Sequence, residues 1–370
     1  MVNLVVTTGS GSLDIYSQNL AKSLDVTKIY TDIYQGNAEL FNISFFDRRA
    51  AGAAYRDCYF IRVLRRTNGI IHLPNHHLGR YGLFLKKPYI ITVHDLIRYI
   101  DLKGNNGSLI HRPNFRDRVY LSLDYKGIKK ATHIIAVSRA TRDALIEHIG
   151  IPEERISVVY EGIDHSLFRP VERRPIDDPY LLCVGTEQPR KNIIGLLRAF
   201  SKLKNNGSFK DLKLVKVGEP GVPEFRRATL RAIEESGLSD EVILTGYVAD
   251  EDLPTYYSGA ECFVLPSLYE GFGLPPLEAM ACGCPVIVSN VTSLPEIVGD
   301  AALLVNPHSA DELARAIESI LTNGRLKEGL VTRGLKHAGK FSWEKTATET
   351  EKVYEAVECS IGHDYVPTAN

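Results

Sequence analysis

Short apolar runs rich in Val, Ile and Leu recur along the chain, and most lead through a turn into a stretch with helical spacing. In the first half the runs cover residues 2–8, 28–33, 70–73, 89–93, 133–137 and 156–159. In the second they cover 180–184, 212–217, 242–244, 262–265, 286–288 and 302–305. Continuous rather than alternating apolar positions predict strands buried on both faces, as in parallel sheets crossed by helices. After Lys191, the residues Ile193, Leu196, Leu197, Phe200 and Leu203 predict one apolar helix face. No short tandem repeat is visible. The pattern predicts an α/β chain with two sets of parallel strands.

A chain of 370 residues is expected to form about two domains. Residues 168–179 carry Pro170, Pro175 and Pro179 among charged side chains and read as a linker. The expected division is a first domain at 1–168, a linker at 169–179 and a second domain at 180–342. Phe341-Ser342-Trp343 opens a last helix with Ser342 as N-cap. This helix, about 343–358, is expected to pack back on the first domain, followed by a loose tail at 359–370.

Composition narrows the classes. A net charge of −1 gives no reason to expect nucleic-acid binding. No apolar run approaches the roughly 20 residues of a membrane helix. Residues 2–8 lead straight into a glycine turn, so no secretory signal is expected. Six cysteines are too sparse for a disulfide scaffold. Cys183, Cys262, Cys282 and Cys284 lie in or beside apolar runs and read as reduced core residues of a cytosolic protein.

The densest chemistry lies between Tyr269 and Met280, where Glu270 and Glu278 bracket a glycine-rich turn that runs into a helix. The amides of Gly271, Phe272, Gly273 and Leu274 then face outward at a helix N-terminus, which attracts phosphate. Pro275 and Pro276 suit the first turn, where no amide donor is needed. Two acids beside an anion site make sense if the ligand also carries hydroxyls, as a sugar nucleotide does. The plainer reading makes Glu278 a first-turn acid and Glu270 a solvated loop residue.

Gly185-Thr186-Glu187-Gln188-Pro189-Arg190-Lys191-Asn192 joins a buried strand to the amphipathic helix. Cations are disfavoured near a helix start, so Arg190 and Lys191 there point to an anionic partner such as a diphosphate. Gly9-Ser10-Gly11-Ser12-Leu13-Asp14 resembles the dinucleotide fingerprint, with Asp32 near the end of the second strand. Asp14, however, stands where that fingerprint requires its third glycine. His94-Asp95 follows a strand at its carboxyl end, where substrates are met. The plainer reading makes Asp95 a cap and His94 a half-buried residue. His72, His76 and His77 flank Pro74-Asn75 and lack the helical spacing of a metal pair, so no metal is expected. Asp250-Glu251-Asp252 precedes Leu253-Pro254 and reads as a helix cap. Residues 45–66 mix six arginines with aromatic and aliphatic residues: a surface helix, or a face for an anionic membrane.

With these motifs in hand, the chain resembles the retaining glycosyltransferases of family 4. The likeness is strongest from Tyr180 to Pro307 and includes Ser267 to Gly273, Glu278 to Gly283 and Val291 to Glu296. It extends more weakly to Gly9–Ser12, Thr92–Asp95, Ile135–Ser138, Glu161–Asp164 and Phe341–Trp343. The resemblance implies a GT-B fold: two Rossmann-like domains with parallel sheets facing across a cleft, the first binding acceptor and the second binding donor. It implies that Glu270 lies near the donor sugar, with the Gly271–Leu274 amides on sugar and phosphate. Glu278 would bind the ribose, Arg190 and Lys191 would clamp the diphosphate, Val248 would meet the base, and His94 would touch the donor sugar. Thr186 stands where many relatives have Arg. Gly11 belongs to the first loop, expected to face the cleft near the donor diphosphate or sugar and to bind donor, although its other residues differ from the consecutive glycines of many relatives.

The implied reaction is metal-independent transfer of a hexose from a nucleoside-diphosphate sugar to a glycan or lipid-linked acceptor, with retention and no cofactor. The G-T-x-x-P-R-K-N form favours GDP-mannose as donor. No nucleic-acid partner is expected, and residues 45–66 offer peripheral contact with the cytoplasmic membrane face. Three rivals stay open: an NAD-dependent dehydrogenase using the first loop, a nucleotide-sugar epimerase, and a non-catalytic binding protein of the same fold.

Overall fold

The computed structural model describes residues 1–9, 11–31, 48–103, 109–110, 112–205, 207 and 209–364. Ser10, Asp32, the beginning of the basic segment 45–66 and the tail from 365 lie outside the described residues. The chain divides into two compact units. One comprises Met1–Leu96, Pro113–Glu161 and Trp343–Asn370; the other comprises Ile97–Arg112 and Gly162–Ser342.

The first unit holds strands β1 (Val2–Val6), β2 (Thr27–Tyr30), β3 (Ile70–Leu73), β4 (Tyr89–Val93), β5 (His133–Ala136) and β6 (Ile156–Val158). They form one sheet in the order β2-β1-β3-β4-β5-β6, with every pairing parallel. The central strands β3 and β4 are buried along their whole length, as their unbroken apolar runs require. Against this sheet lie Tyr16 and Leu20 of helix Ser12–Ser23, and Trp343, Ala347, Tyr354 and Val357 of the last helix, Trp343–Asp364. His72 ties that helix to the sheet: Nδ1 meets the Tyr354 hydroxyl at 2.6 Å and Nε2 meets Thr92 Oγ1 at 2.8 Å.

The second unit holds β7 (Tyr180–Val184), β8 (Lys213–Val217), β9 (Val242–Gly246), β10 (Cys262–Leu265), β11 (Val286–Ser289) and β12 (Leu303–Val305). Their order is β12-β11-β10-β7-β8-β9, again all parallel. The expected apolar face after Lys191 is the buried face of helix Ile193–Asn205. The four core cysteines are buried and free, whereas Cys58 and Cys359 are exposed.

Most strand ends differ from the sequence reading by at most two residues: β1 stops at Val6, and β9 continues to Gly246. β2 stops at Tyr30, and residues 32–33 of that reading lie outside the described residues. The domain limits differ more. The segment Ile97–Arg112 groups with the second unit, where the Leu109 carbonyl accepts the Arg190 amide at 2.9 Å. The proline-rich stretch is also fastened there: the Val171 amide donates to Ser258 Oγ at 3.1 Å, and Arg174 donates to the Gly259 carbonyl at 2.9 Å. Ser342 bridges Ile163, and the last helix begins at the next residue.

Candidate active site

In the second sheet β7 and β10 are neighbours, but β7 leads outward to β8 while β10 leads the other way to β11. Loops leaving such a pair part from each other, and the crevice beyond their carboxyl ends is where open α/β sheets bind ligands. The loop after β7 carries Arg190 and Lys191, and the loop after β10 carries Glu270. Topology therefore joins two motifs that lie far apart in sequence.

The first loop is shaped by backbone that few residues tolerate. Gly185 has φ +140°, and a Cβ there would lie 3.3 Å from Lys191 Cε, so glycine lets the lysine side chain pass closely. Asn192 adopts the left-handed conformation at φ 55°. Its side-chain amide donates to the Pro266 carbonyl at 3.0 Å and the Pro307 carbonyl at 2.8 Å. One asparagine thus ties together the segments following β7, β10 and β12. The Leu268 amide donates to the Arg190 carbonyl at 2.6 Å, closing the same seam.

Lys191 and Glu270 are both buried, at 7% exposure each. Lys191 Nζ donates to Glu270 Oε1 at 2.6 Å, Ser267 Oγ donates to the same oxygen at 2.6 Å, and Arg190 donates to Oε2 at 2.8 Å. Burial alone would raise the Glu270 pKa, but Lys191 and Arg190 outweigh it and hold the carboxyl down at about 2. Burial pulls the Lys191 pKa down, while the adjacent carboxylate supports its charge. Backbone contacts fix the acid further. The Glu270 amide donates to Thr292 Oγ1 at 3.1 Å, and Ser293 Oγ donates to the carbonyls of Glu270 at 3.0 Å and Phe272 at 2.8 Å. Gly273, at φ +108°, turns the chain into helix Leu274–Ala281, where a Cβ would press on Leu294 at 2.9 Å.

Glu278 lies within that helix and accepts from the Tyr257 hydroxyl at 2.7 Å. Burial, reinforced by the charge of Asp250, raises its pKa to about 7, although the tyrosine bond opposes the shift. The two glutamates of one motif thus differ: Glu270 is held ionised, and Glu278 titrates near pH 7. Thr186 is half-buried in the same loop as Arg190. Val248 is half-buried in the separate loop after β9.

His94 and Gly11 belong to the first unit. His94 Nδ1 lies 2.7 Å from Glu161 Oε1, and Nε2 lies 3.0 Å from the Pro74 carbonyl. Burial works against its charge, but Glu161 and that carbonyl prevail and the pKa is raised. Gly11 caps helix Ser12–Ser23, and its amide donates to Asp14 Oδ2 at 3.2 Å. A Cβ on Gly9 would lie 2.1 Å from the same oxygen. Asp14 thus closes the loop on itself, where a dinucleotide-binding turn would leave amides for a pyrophosphate.

The remaining motifs have local explanations. Both His72 nitrogens are partnered as described above, and burial lowers its pKa to about 3. Among the described residues, no group of three or more His, Cys, Asp or Glu is arranged to hold a metal ion. Asp252 stands at the N-cap of helix Leu253–Gly259 but makes no side-chain capping bond there. The helix Arg48–Arg66 exposes Arg56, Arg62, Arg65 and Arg66 and buries Phe60 and Leu64. No described helix is long and apolar enough to cross a membrane.

A cavity of about 730 Å³ opens in the first unit, and Gly9, Gly11 and Asp14 of the first glycine loop are part of its lining. It lies at that sheet's own divergence, where β1 leads to β2 and β3 leads to β4. Thr7, Thr8, Ser12, Asn75, Arg80 and Tyr81 are among its lining residues. The Tyr81 hydroxyl donates to Asp57 at 2.6 Å, and Arg80 pairs with Asp124 at 2.9 Å. Asn75 is 6% exposed, and its Oδ1 has no hydrogen-bond partner.

The family model Glycosyltransferase Family 4 matches residues 37–167, and Glycosyl transferases group 1 matches residues 164–337. The O-antigen chain mannosyltransferase B of Escherichia coli is 37% identical over 255 residues, spanning 66% of this chain and 66% of the relative. The serotype-specific mannosyltransferase WbdA of the same organism is 34% identical over 322 residues, spanning 83% of this chain but only 38% of the relative. Among solved structures, sucrose-phosphate synthase from Thermosynechococcus elongatus has a TM-score of 0.75 at 24% identity, covering 97% of this chain and 99% of that one. HepE from Anabaena, solved with UDP-glucose, has a TM-score of 0.75 at 16% identity, covering 96% and 99%.

Proposed function

The chain belongs to the GT-B glycosyltransferases of the family 4 type, and from that premise we propose that it transfers a hexose from a nucleoside-diphosphate sugar to a hydroxyl of a glycan or lipid-linked acceptor. The observation that carries this reading is the buried Lys191–Glu270–Arg190 cluster at the divergence of β7 and β10. Arg190 and Lys191 receive the diphosphate and stabilise the charge that grows on it as the sugar–phosphate bond breaks. Glu270 takes sugar hydroxyls and Glu278 takes the ribose diol, with Val248 beside the base. Thr186 and the Gly271–Leu274 amides complete the donor contacts.

Transfer proceeds with retention, the leaving diphosphate assisting removal of the acceptor proton. The reaction uses no metal, because the two fixed cations carry that electrostatic role. Mannose, as GDP-mannose, is the favoured donor, in keeping with the names of the Escherichia coli relatives. The acceptor end occupies the cavity of the first unit, where Asn75 offers an unpartnered oxygen to a saccharide hydroxyl. Gly11 and His94 belong to the same unit and contribute to the substrate-facing loops. The protein works in the cytoplasm, and the exposed arginine face of helix Arg48–Arg66 supports peripheral contact with an anionic membrane.

The test is incubation with sugar nucleotides and a mannoside acceptor, with and without EDTA. The expected result is nucleoside-diphosphate release that requires acceptor and ignores EDTA, with an α-linked product from an α-linked donor. Conversion of the donor with no acceptor present contradicts the reading in favour of an epimerase.

A further inference from the structure

The Glu270 carboxylate is heavily engaged. Lys191 and Ser267 both donate to Oε1, and Arg190 donates to Oε2. The two cations assigned to the diphosphate are therefore the same two that neutralise Glu270. A buried lysine requires a counter-charge, and Glu270 supplies it here at 2.6 Å. A diphosphate that reaches Lys191 and Arg190 must draw them, wholly or in part, away from this carboxylate. Asn192 and Leu268 clamp the backbone of the loop that carries both cations, so the exchange falls to the Lys191 and Arg190 side chains.

We propose that Glu270 is an internal competitor for the diphosphate, so that the site discriminates between the intact donor and the nucleoside diphosphate left after transfer. This deepens the functional reading above and rests on it. When a sugar nucleotide binds, the cations turn to the diphosphate and the freed carboxylate oxygens are taken up by sugar hydroxyls. Both sides of the exchange are satisfied. When the sugar has left, nothing replaces its hydroxyls. Glu270 then reclaims Lys191 and Arg190 and weakens the hold on the product. The same carboxylate therefore favours donor binding and product release, and its charge, rather than its shape, is what matters.

The test is calorimetric titration of GDP, UDP, ADP and dTDP, then of the matching sugar nucleotides, into the wild type, E270Q and E270D. Thermal melts identify which variants are folded. E270Q keeps the side chain's shape and removes its charge; E270D keeps the charge but withdraws it from Lys191. For the nucleoside diphosphate that the wild type binds, E270Q is expected to gain roughly tenfold in affinity, and E270D less. The matching sugar nucleotide gains far less or loses, because its hydroxyl contact has gone. Unchanged or weaker diphosphate binding in the folded variants overturns the competition while leaving the glycosyltransferase reading intact. Binding of no nucleotide by any of the three proteins overturns that reading, and the competition with it.

Discussion

The two sheets diverge in the same way, β7 from β10 in one unit and β1 from β3 in the other, yet the crevices they open differ. In the second unit the loops close on a buried ion cluster of Lys191, Arg190, Glu270 and Ser267. In the first the divergence stays open as a cavity of about 730 Å³, where Arg80 pairs with Asp124 and Asp57 accepts from the Tyr81 hydroxyl. Topology locates a site in each, and the loop residues decide its task. Two cations on a clamped loop suit a diphosphate, whose negative charge grows as the sugar leaves. A wide hollow lined by hydroxyls, amides and charged side chains suits a saccharide recognised through many weak polar contacts.

The sharpest way to break the contrast is to remove charge from the second unit. Lys191→Ala is expected to lower kcat by roughly a hundredfold to a thousandfold, as loss of a preorganised electrostatic donor does, while leaving the protein folded by circular dichroism. Wild-type turnover at saturating donor would sink the assignment. Next comes the clamp. Asn192→Ala removes two side-chain bonds and leaves a left-handed backbone without the residue type that tolerates it. A loss of about 2 kcal/mol is expected in denaturant unfolding; no shift in the midpoint would mean the loops hold without it.

Much of the second crevice was legible before any fold was known. The glycine–proline frame around Glu270 and the Arg190-Lys191 pair at a helix start are local signals, written in contiguous residues. Their meeting was not local; it depends on β7 and β10 being sheet neighbours. Ser267, Tyr257 and Asn192 went unnoticed as partners because nothing in their immediate sequence shows which carboxylate or carbonyl they will meet. In the first unit the glycine loop at Gly9 and Gly11 marked one wall of the cavity, but Asn75 and Tyr81 join that lining only after β1 and β3 pair, and nothing in their immediate sequence shows it. The grouping of Ile97–Arg112 with the second unit was likewise invisible, since a single backbone bond to Arg190 is among its ties.

Smaller effects sharpen the comparison. Asn75→Ala in the first unit is expected to raise the acceptor KM roughly tenfold and leave donor KM unchanged; steady-state kinetics with each substrate varied separates the two. Equal changes in both would deny the units their separate roles. Within the second unit, pH distinguishes the two glutamates. Glu278 has a pKa raised to about 7, so its carboxylate form, the better ribose acceptor, fills as pH rises. Affinity for a sugar nucleotide should increase by roughly tenfold from pH 6 to 8, and E278Q should flatten the curve.

The stability signs are opposite. The contribution of Glu278 is complete below the ordinary value of 4.5 and is lost as pH rises through about 7. That of Glu270 is present above 4.5 and is lost as pH falls toward about 2.

The central claim is that the β7–β10 crevice binds a sugar nucleotide through Lys191. Its most direct test is calorimetric titration of GDP-mannose, UDP-glucose and NAD into the wild type and Lys191→Ala. A sugar nucleotide is expected to bind and NAD is not, and the substitution is expected to weaken the sugar nucleotide at least tenfold. Binding of NAD, or sugar-nucleotide affinity that ignores the loss of Lys191, would contradict it.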